Sequence, residues 1–267
     1  MRGFRKNALK SVAAASLLGF GVSAQAIPVD LELSLVIDVS GSVSGSEYDL
    51  QMDGYAGAFR DAAVQNAILG GANGGIAVNA VFFSSSAQEL IPFTLLDTVA
   101  SINAFADTLD NFARPFSGGT TISAGLNVSV PSFGLETGGV ANGFESTRQV
   151  IDVSGDGTSS TTGTQNARDA ALAAGVDAIN GIAIEGNATS TVITDFYRDN
   201  LIGGTGSFVV TAAGFDDFDT AIVTKLRAEI APPPTPGIPE PSVMALFGAG
   251  LFGLGMMSIR RRRQRLV

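Results

Sequence analysis

The stretch Leu33-Ser34-Leu35-Val36-Ile37-Asp38-Val39-Ser40-Gly41-Ser42 decides the fold of this chain. Its first half is a nearly continuous apolar run of strand length, which is typical of a strand buried on both faces of a parallel sheet. Three oxygen side chains follow in the order Asp-x-Ser-x-Ser, so Asp38, Ser40 and Ser42 share one loop. The loop is a candidate divalent-metal site, although the same residues would also suit a turn that caps the next helix.

Apolar runs alternate with helical patterns along the middle of the chain. Strands are predicted at residues 33–37, 76–83, 149–153, 179–184 and 207–211, with a short edge strand at 90–95 that Pro92 weakens. Helices are predicted at residues 48–59, 99–112 and 218–230, and with a weaker pattern at 165–174 and 189–198. Ser44 and Glu47 have the spacing of a capping box before the first helix. The alternation predicts a single three-layer α/β domain, doubly wound, whose mostly parallel sheet is flanked by helices.

Two later motifs supply further oxygen ligands at the same edge of that sheet. Thr120 follows two glycines in a loop before a helical stretch, and Asp156 follows the strand predicted at 149–153. Sites of such sheets lie beyond the carboxyl ends of the strands. The predicted metal ligands are Asp38, Ser40, Ser42, Thr120 and Asp156. Thr121 is an alternative to Thr120, and Asp152 is an alternative to Asp156.

The composition limits the chemistry of this site. The chain has no histidine and no cysteine, which excludes Ser-His and Cys-His nucleophiles, thiolate zinc sites and disulfides. Oxygen-only ligands suit hard cations, so Mg²⁺ is predicted, with Mn²⁺ or Ca²⁺ as alternatives. Two carboxylates only balance a dication, so an open coordination position would bind the acidic group of a protein or polysaccharide partner.

Charge is segregated along the chain. All 25 acidic residues lie between Asp30 and Glu240, whereas more than half of the 16 basic residues lie in the two terminal segments. An acidic domain repels nucleic acid, which we exclude as a partner. Arg114, one of the few arginines in the middle, is interpreted as a solvated loop residue, with an anionic ligand beside the site as the alternative.

Both ends have the features of targeting segments. Residues 1–26 predict a signal peptide that signal peptidase removes, and residues 27–231 form the predicted domain. A proline-rich linker at 232–241 contains Pro239-Glu240-Pro241, an apolar transmembrane-type span follows at 242–259, and an arginine-rich cytoplasmic tail at 260–267. This order resembles the PEP-CTERM sorting signal of Gram-negative bacteria. The resemblance implies export, anchoring in the inner membrane by the span, exosortase processing, and delivery to the cell surface or extracellular matrix; a permanent tail anchor is the alternative.

The three oxygen motifs together resemble the von Willebrand factor A (VWA) domain over roughly residues 30–231. The resemblance implies a metal-ion-dependent adhesion site (MIDAS), with the five predicted ligands in the family's ligand positions and the two aspartates often acting through water. The expected function is a metal-dependent binding or adhesion protein and not an enzyme. The alternatives are a metal-dependent hydrolase, for which Asp152 is the candidate general base, and a metal-stabilised scaffold without a ligand.

Overall fold

Five parallel strands form the centre of the structure, a computed structural model that describes residues 25–231. The strands are β1 Ile27–Pro28, β2 Glu32–Asp38, β3 Ile76–Phe83, β4 Ala87–Leu96, β5 Phe144–Glu145, β6 Gln149–Gly155, β7 Ala178–Ile184, β8 Gly203–Gly204 and β9 Val209–Ala212. The main sheet has the order β4-β3-β2-β6-β7-β8, and β9 pairs with β7 beyond the end of β8. Strands β2, β3, β6, β7 and β9 are parallel, whereas β4 and β8 run antiparallel to their neighbours.

Helices cover both faces of the sheet. They are α1 Gly45–Arg60, α2 Ala62–Leu69, α3 Val99–Asp110, α4 Ile122–Ser132, α5 Thr161–Ala174, α6 Val192–Phe196 and α7 Phe218–Ile230. Helices α1, α2, α3 and α7 enclose one apolar core with β2 and β3, and α4, α5 and α6 enclose a second core on the opposite face. Strands β2, β3, β6 and β7 are buried along their whole length, as parallel strands between two helical layers must be. The predicted three-layer, mostly parallel α/β fold is therefore confirmed.

The structure differs from the predicted elements mainly where long-range packing overrides local pattern. The edge strand β4 is longer than predicted, because Pro92 lies in a region of irregular register against β3, where a proline removes no regular ladder bond. Helix α2 was not predicted. It is short, and Asp61 caps its start by accepting bonds from the amides of Ala63 and Val64. The predicted helix at 189–198 starts later, at Val192, and continues as a π-helix at Tyr197–Leu201.

The start and the end of the described chain lie at the amino-terminal edge of the sheet. Strand β1 pairs with β5, shortly before β6 begins. The end of α7 lies there too, because the Arg148 guanidinium donates to the carbonyls of Glu229 and Ile230 at 2.7 and 3.4 Å. The carboxyl ends of the parallel strands, and the loops that follow them, lie at the opposite edge.

The predicted targeting segments at the two ends fall almost wholly outside the described residues. Only the last two residues of the predicted signal peptide are described, and the linker, the apolar span and the arginine-rich tail are not. Within residues 25–231, no helix combines the length and the apolar character that crossing a membrane requires.

Candidate metal centre

The Asp38 loop is held at the carboxyl edge of the sheet by its strand and by the helix that follows. Asp38 is the last residue of β2, and the amide of Val39 donates to Phe83 at the end of β3, at 2.8 Å. Helix α1 then starts with the predicted capping box: Glu47 accepts from the Ser44 amide at 2.7 Å, and its own amide donates to the Ser44 hydroxyl. The loop is thus fixed at both ends.

All five predicted ligands lie in one hydrogen-bonded cluster. The Asp38 carboxylate accepts from the Ser40 amide at 2.7 Å. The Ser40 hydroxyl is 3.1 Å from the hydroxyls of both Ser42 and Thr120, and Ser42 donates to the Asp156 carboxylate at 2.7 Å. Residues from three separate loops therefore meet at one point, as the three sequence motifs and the VWA resemblance predicted.

The cluster is closed towards the core and open towards solvent. Asp38 and Ser40 are fully buried, Thr120 and Asp156 are half-buried, and Ser42 is exposed. Two carboxylates and three hydroxyls make a mixed donor set. In residues 25–231, no group of three or more acidic side chains is placed to hold a metal, so any cation at this point depends on the hydroxyls as well.

Burial changes the acidity of both carboxyl groups. It raises the pKa of Asp38 to about 7, against the lowering effects of the Ser40 hydrogen bonds and of Arg114. Burial also raises the pKa of Asp156, while its bond from Ser42 lowers it. The mutual repulsion of Asp38 and Asp156 adds to the rise for Asp38. A divalent cation would stabilise both carboxylates in their charged form, so the electrostatics of the cluster favour cation binding.

Two details of packing fit an oxygen-bound cation at Asp38. Its buried Oδ2 has no hydrogen-bond partner among residues 25–231, and a buried carboxylate oxygen without a partner is costly. Gly155 leaves the space beside it free: a Cβ there would lie 2.8 Å from Asp38 Oδ2 and 2.8 Å from the Tyr197 hydroxyl. The residues present therefore fit a divalent cation, with Asp38 and Asp156 as its charged ligands and Ser40, Ser42 and Thr120 as neutral ones.

The structure separates the predicted ligands from their alternatives. The hydroxyl of Thr120 points into the cluster, whereas Thr121 precedes α4 and its amide donates to Ser84 at 2.9 Å. Asp152 lies deeper in β6, fully buried, with its Oδ1 2.5 Å from Lys225 Nζ. Asp152 thus takes no part in the cluster, which leaves Asp156 as the carboxylate that this loop supplies.

Arg114 was predicted to lie in solvent, but the structure places it against the Asp38 loop. Its guanidinium donates to the carbonyls of Val39 and Ser40 at 2.8 and 2.6 Å, so it is half-buried against the back of the Asp38 loop. The interpretation as a free loop arginine is wrong, because the turn after Asp38 exposes two carbonyls that need a donor. Arg114 therefore acts as a clamp on this loop.

We expect Arg114→Lys to destabilise the domain by about 1–2 kcal/mol, because lysine keeps the charge but lacks the planar guanidinium whose Nη2 donates to both carbonyls. Urea unfolding at pH 7 measures the change. Arg227→Lys on the exposed side of α7 is the matched control and should leave stability unchanged. Equal stabilities of the two variants would show that the clamp contributes little.

Three residues beside the cluster were not predicted. Gln51 donates from α1 to the Asp38 carbonyl at 3.2 Å, and the Ser159 hydroxyl donates to the Thr120 carbonyl at 3.1 Å. Burial and then the charge of Asp38 raise the pKa of Tyr197 well above the ordinary value, and its hydroxyl has no hydrogen-bond partner among the described residues. The sequence could have indicated the role of Gln51, because a glutamine on the apolar face of α1 needs a buried hydrogen-bond partner.

Comparison with known families and structures agrees with this fold. The family described as "Protein of unknown function (DUF1194)" matches residues 28–234, and the PEP-CTERM protein-sorting motif matches residues 237–263. The motif implies export, sorting to the surface or membrane, and exosortase processing. A search among curated proteins finds no match.

Three solved structures are similar in fold at low sequence identity. Proximal thread matrix protein 1 from the mussel byssus, with a zinc-occupied MIDAS motif, has a TM-score of 0.51 at 15% identity, over 76% of this chain and 46% of that one. The pilus adhesin SpaC from Lactobacillus rhamnosus GG has a TM-score of 0.54 at 15% identity, over 78% and 31%. The PilB minor pilin from Streptococcus sanguinis has a TM-score of 0.52 at 15% identity, over 78% and 62%.

The chain spans less than two thirds of each of these three proteins, so the likeness concerns only part of each. This likeness shows the fold of the chain. It does not extend the activities of the three proteins to this chain. With the family match over most of the sequence, it confirms the predicted resemblance to VWA domains. The chain belongs to the DUF1194 family, whose fold is VWA-like, and carries a PEP-CTERM sorting motif.

Proposed function

We propose that this protein is an exported, surface-sorted binding protein that holds an acidic group of a protein or polysaccharide partner through a divalent cation. Asp38, Ser40, Ser42, Thr120 and Asp156 would hold the cation. The observation that carries the proposal is the cluster itself, in which five oxygen side chains from three loops converge and one buried oxygen, Asp38 Oδ2, has no hydrogen-bond partner among the described residues. Mg²⁺ is the proposed ion, since all five side chains are hard oxygen donors.

The bound cation would supply a Lewis-acidic position for a carboxylate of the partner. The chain's own residues do the positioning. Arg114 and Gln51 fix the Asp38 loop from behind, and the exposed Ser42 leaves the front of the cluster accessible to a large ligand. The net charge of the chain is -9, so general attraction would not bring an acidic partner close; the contact is local and depends on the ion.

Binding is favoured over hydrolysis by the position of Asp152. As the candidate general base of a hydrolase, it would have to reach a water at the cluster. It lies instead in the core and contacts Lys225, so a water at the cluster is beyond its reach. The mussel matrix protein, the pilus adhesin and the minor pilin are also consistent with a role in adhesion, and the PEP-CTERM motif supports a surface location.

The direct experiment measures binding of the purified protein to immobilised polyglutamate and alginate, with neutral dextran as the control surface. We expect binding in millimolar Mg²⁺ or Mn²⁺ that disappears on chelation, and no binding to dextran under either condition. Retention after chelation, or equal retention on dextran, would contradict a metal-held acidic ligand. Turnover of a phosphoester or glycan substrate that needs the metal would favour the hydrolase.

A further inference from the structure

A second cluster of charged side chains lies in the core, away from the metal ligands. Lys225 and Glu229 come from α7 and Asp152 from β6, and all three are at most 2% exposed. Lys225 Nζ is 2.5 Å from Asp152 Oδ1 and also contacts Glu229 Oε1. Asn180 donates to the same Glu229 oxygen at 2.9 Å, and the ring of Phe208 lies 5.8 Å from Nζ. The cluster therefore joins the last helix to a central strand.

An ordinary ion pair explains this cluster poorly. The cluster has two carboxyl groups for one amine, and it is buried away from water. The contact between Nζ and Asp152 lacks hydrogen-bond geometry, and both oxygens of Asp152 and Oε2 of Glu229 have no hydrogen-bond partner among the described residues. Buried charges are stable only when their remaining hydrogen-bonding positions are filled. The two carboxyl oxygens of Asp152 have no such hydrogen bonds.

We propose that Lys225 and Asp152 condense to form an intramolecular amide bond, an isopeptide bond, and that Glu229 transfers the protons. The lone pair of the neutral amine attacks Cγ of the protonated Asp152. A C–N bond forms, a C–O bond breaks, and one water leaves. A protonated Glu229 donates its proton to the departing oxygen and takes one from the nitrogen, so it ends unchanged and no oxidant or cofactor is needed.

The geometry and the environment favour each part of this step. Lys225 Nζ touches the Asp152 carboxyl group, 2.5 Å from its Oδ1, so the amine starts beside the carbon that it attacks, and both groups are fixed on rigid elements. Burial raises the pKa of Glu229, which favours a protonated side chain that can donate to the departing oxygen. The product replaces a buried ion pair by a neutral amide, and exclusion of water protects the bond from hydrolysis.

The bond would suit an exported protein without disulfides. The chain has no cysteine, and a link between residues 152 and 225 would close a long loop that includes β7 and β9. A cross-link of this kind restricts the unfolded chain and so stabilises the folded one. This inference does not depend on the metal site, because none of its three residues belongs to it.

Peptide mapping of the full-length protein tests the proposal. Trypsin does not cleave after a lysine whose amine is acylated, so residues 199–227 should remain together and joined to residues 149–168. The joined species should weigh one water, about 18 Da, less than the two peptides combined. Separate peptides, with cleavage after Lys225, would overturn the proposal whatever the variants show.

Glu229→Gln tests the proton transfer, because it keeps the size of the side chain and removes the acid. We expect the joined species to fall at least tenfold, with circular dichroism confirming that the variant is folded. Glu185→Gln, at another buried glutamate at the end of β7, is the matched control and should retain the wild-type yield. Full yield in Glu229→Gln would show that Glu229 has no part in the reaction.

Discussion

Asp38→Asn should abolish metal binding and yet stabilise the chelated protein at pH 8. We expect the affinity for Mg²⁺ or Mn²⁺ to fall more than about 100-fold, because even outer partners of metal ligands contribute about 10- to 100-fold. Burial raises the pKa of Asp38 from 3.8 to about 7, so the folded protein favours its protonated form. That stabilising contribution is complete below about pH 4 and is lost as the pH rises through 7. Asparagine avoids the loss, a gain of up to about 4 kcal/mol at pH 8.

Isothermal titration calorimetry measures the first effect, and urea unfolding in chelator at pH 4, 6 and 8 measures the second. Wild type and Asp38→Asn should have similar stability at pH 4 and diverge towards pH 8. Asp199→Asn, at an exposed position on the π-helix, is the matched control and should change neither quantity. An unchanged metal affinity in Asp38→Asn would remove Asp38 from the ligand set.

Gly155→Ala should damage the metal site and the fold together. The new Cβ would lie 2.8 Å from Asp38 Oδ2 and from the Tyr197 hydroxyl, closer than packed atoms allow. Both neighbours are buried, so neither side chain has free space to move into. We expect a loss of about 1–3 kcal/mol in the free energy of unfolding, as overpacking of a core produces. Displacement of Asp38 should also lower metal affinity by about tenfold or more.

The same calorimetry and urea unfolding apply to this variant. Gly186→Ala is its matched control, because Gly186 follows β7 as Gly155 ends β6, and a Cβ there meets no atom within 4 Å. It should preserve both metal affinity and stability. If Gly155→Ala binds metal as tightly as wild type, the cation does not need the position of Asp38 that the structure shows.

The place of the site followed from local sequence, because strand ends and turns are local features. Asp38 follows a continuous apolar run, and Ser44 with Glu47 forms the capping box that the structure confirms. Asp156 could be assigned to the same edge because parallel strands align their carboxyl ends, and Thr120 was assigned there from its glycine-preceded loop before a helix and from the VWA resemblance. The pattern thus predicted which residues meet, although metal binding by them remains a prediction.

What the sequence did not predict depends on contacts between distant parts of the chain. Arg114 was expected in solvent, since nothing near it in sequence shows that it reaches the carbonyls of Val39 and Ser40. Asp152 was named only as the alternative to Asp156 and as the candidate base of a hydrolase. Its true neighbour, Lys225, lies on the last helix, and the alternation of side chains along β6 turns Asp152 towards that helix.

The Arg148 contacts at the end of α7 determine where the chain leaves the described domain. They hold the last described turn beside the start of β6, whereas the metal cluster lies beyond the other end of that strand. Seven residues of strand span roughly 23 Å. The chain therefore leaves the described domain at one edge of the sheet, and the five oxygen side chains lie at the opposite edge. On the proposed function, a partner would reach them without crossing the point at which the chain continues.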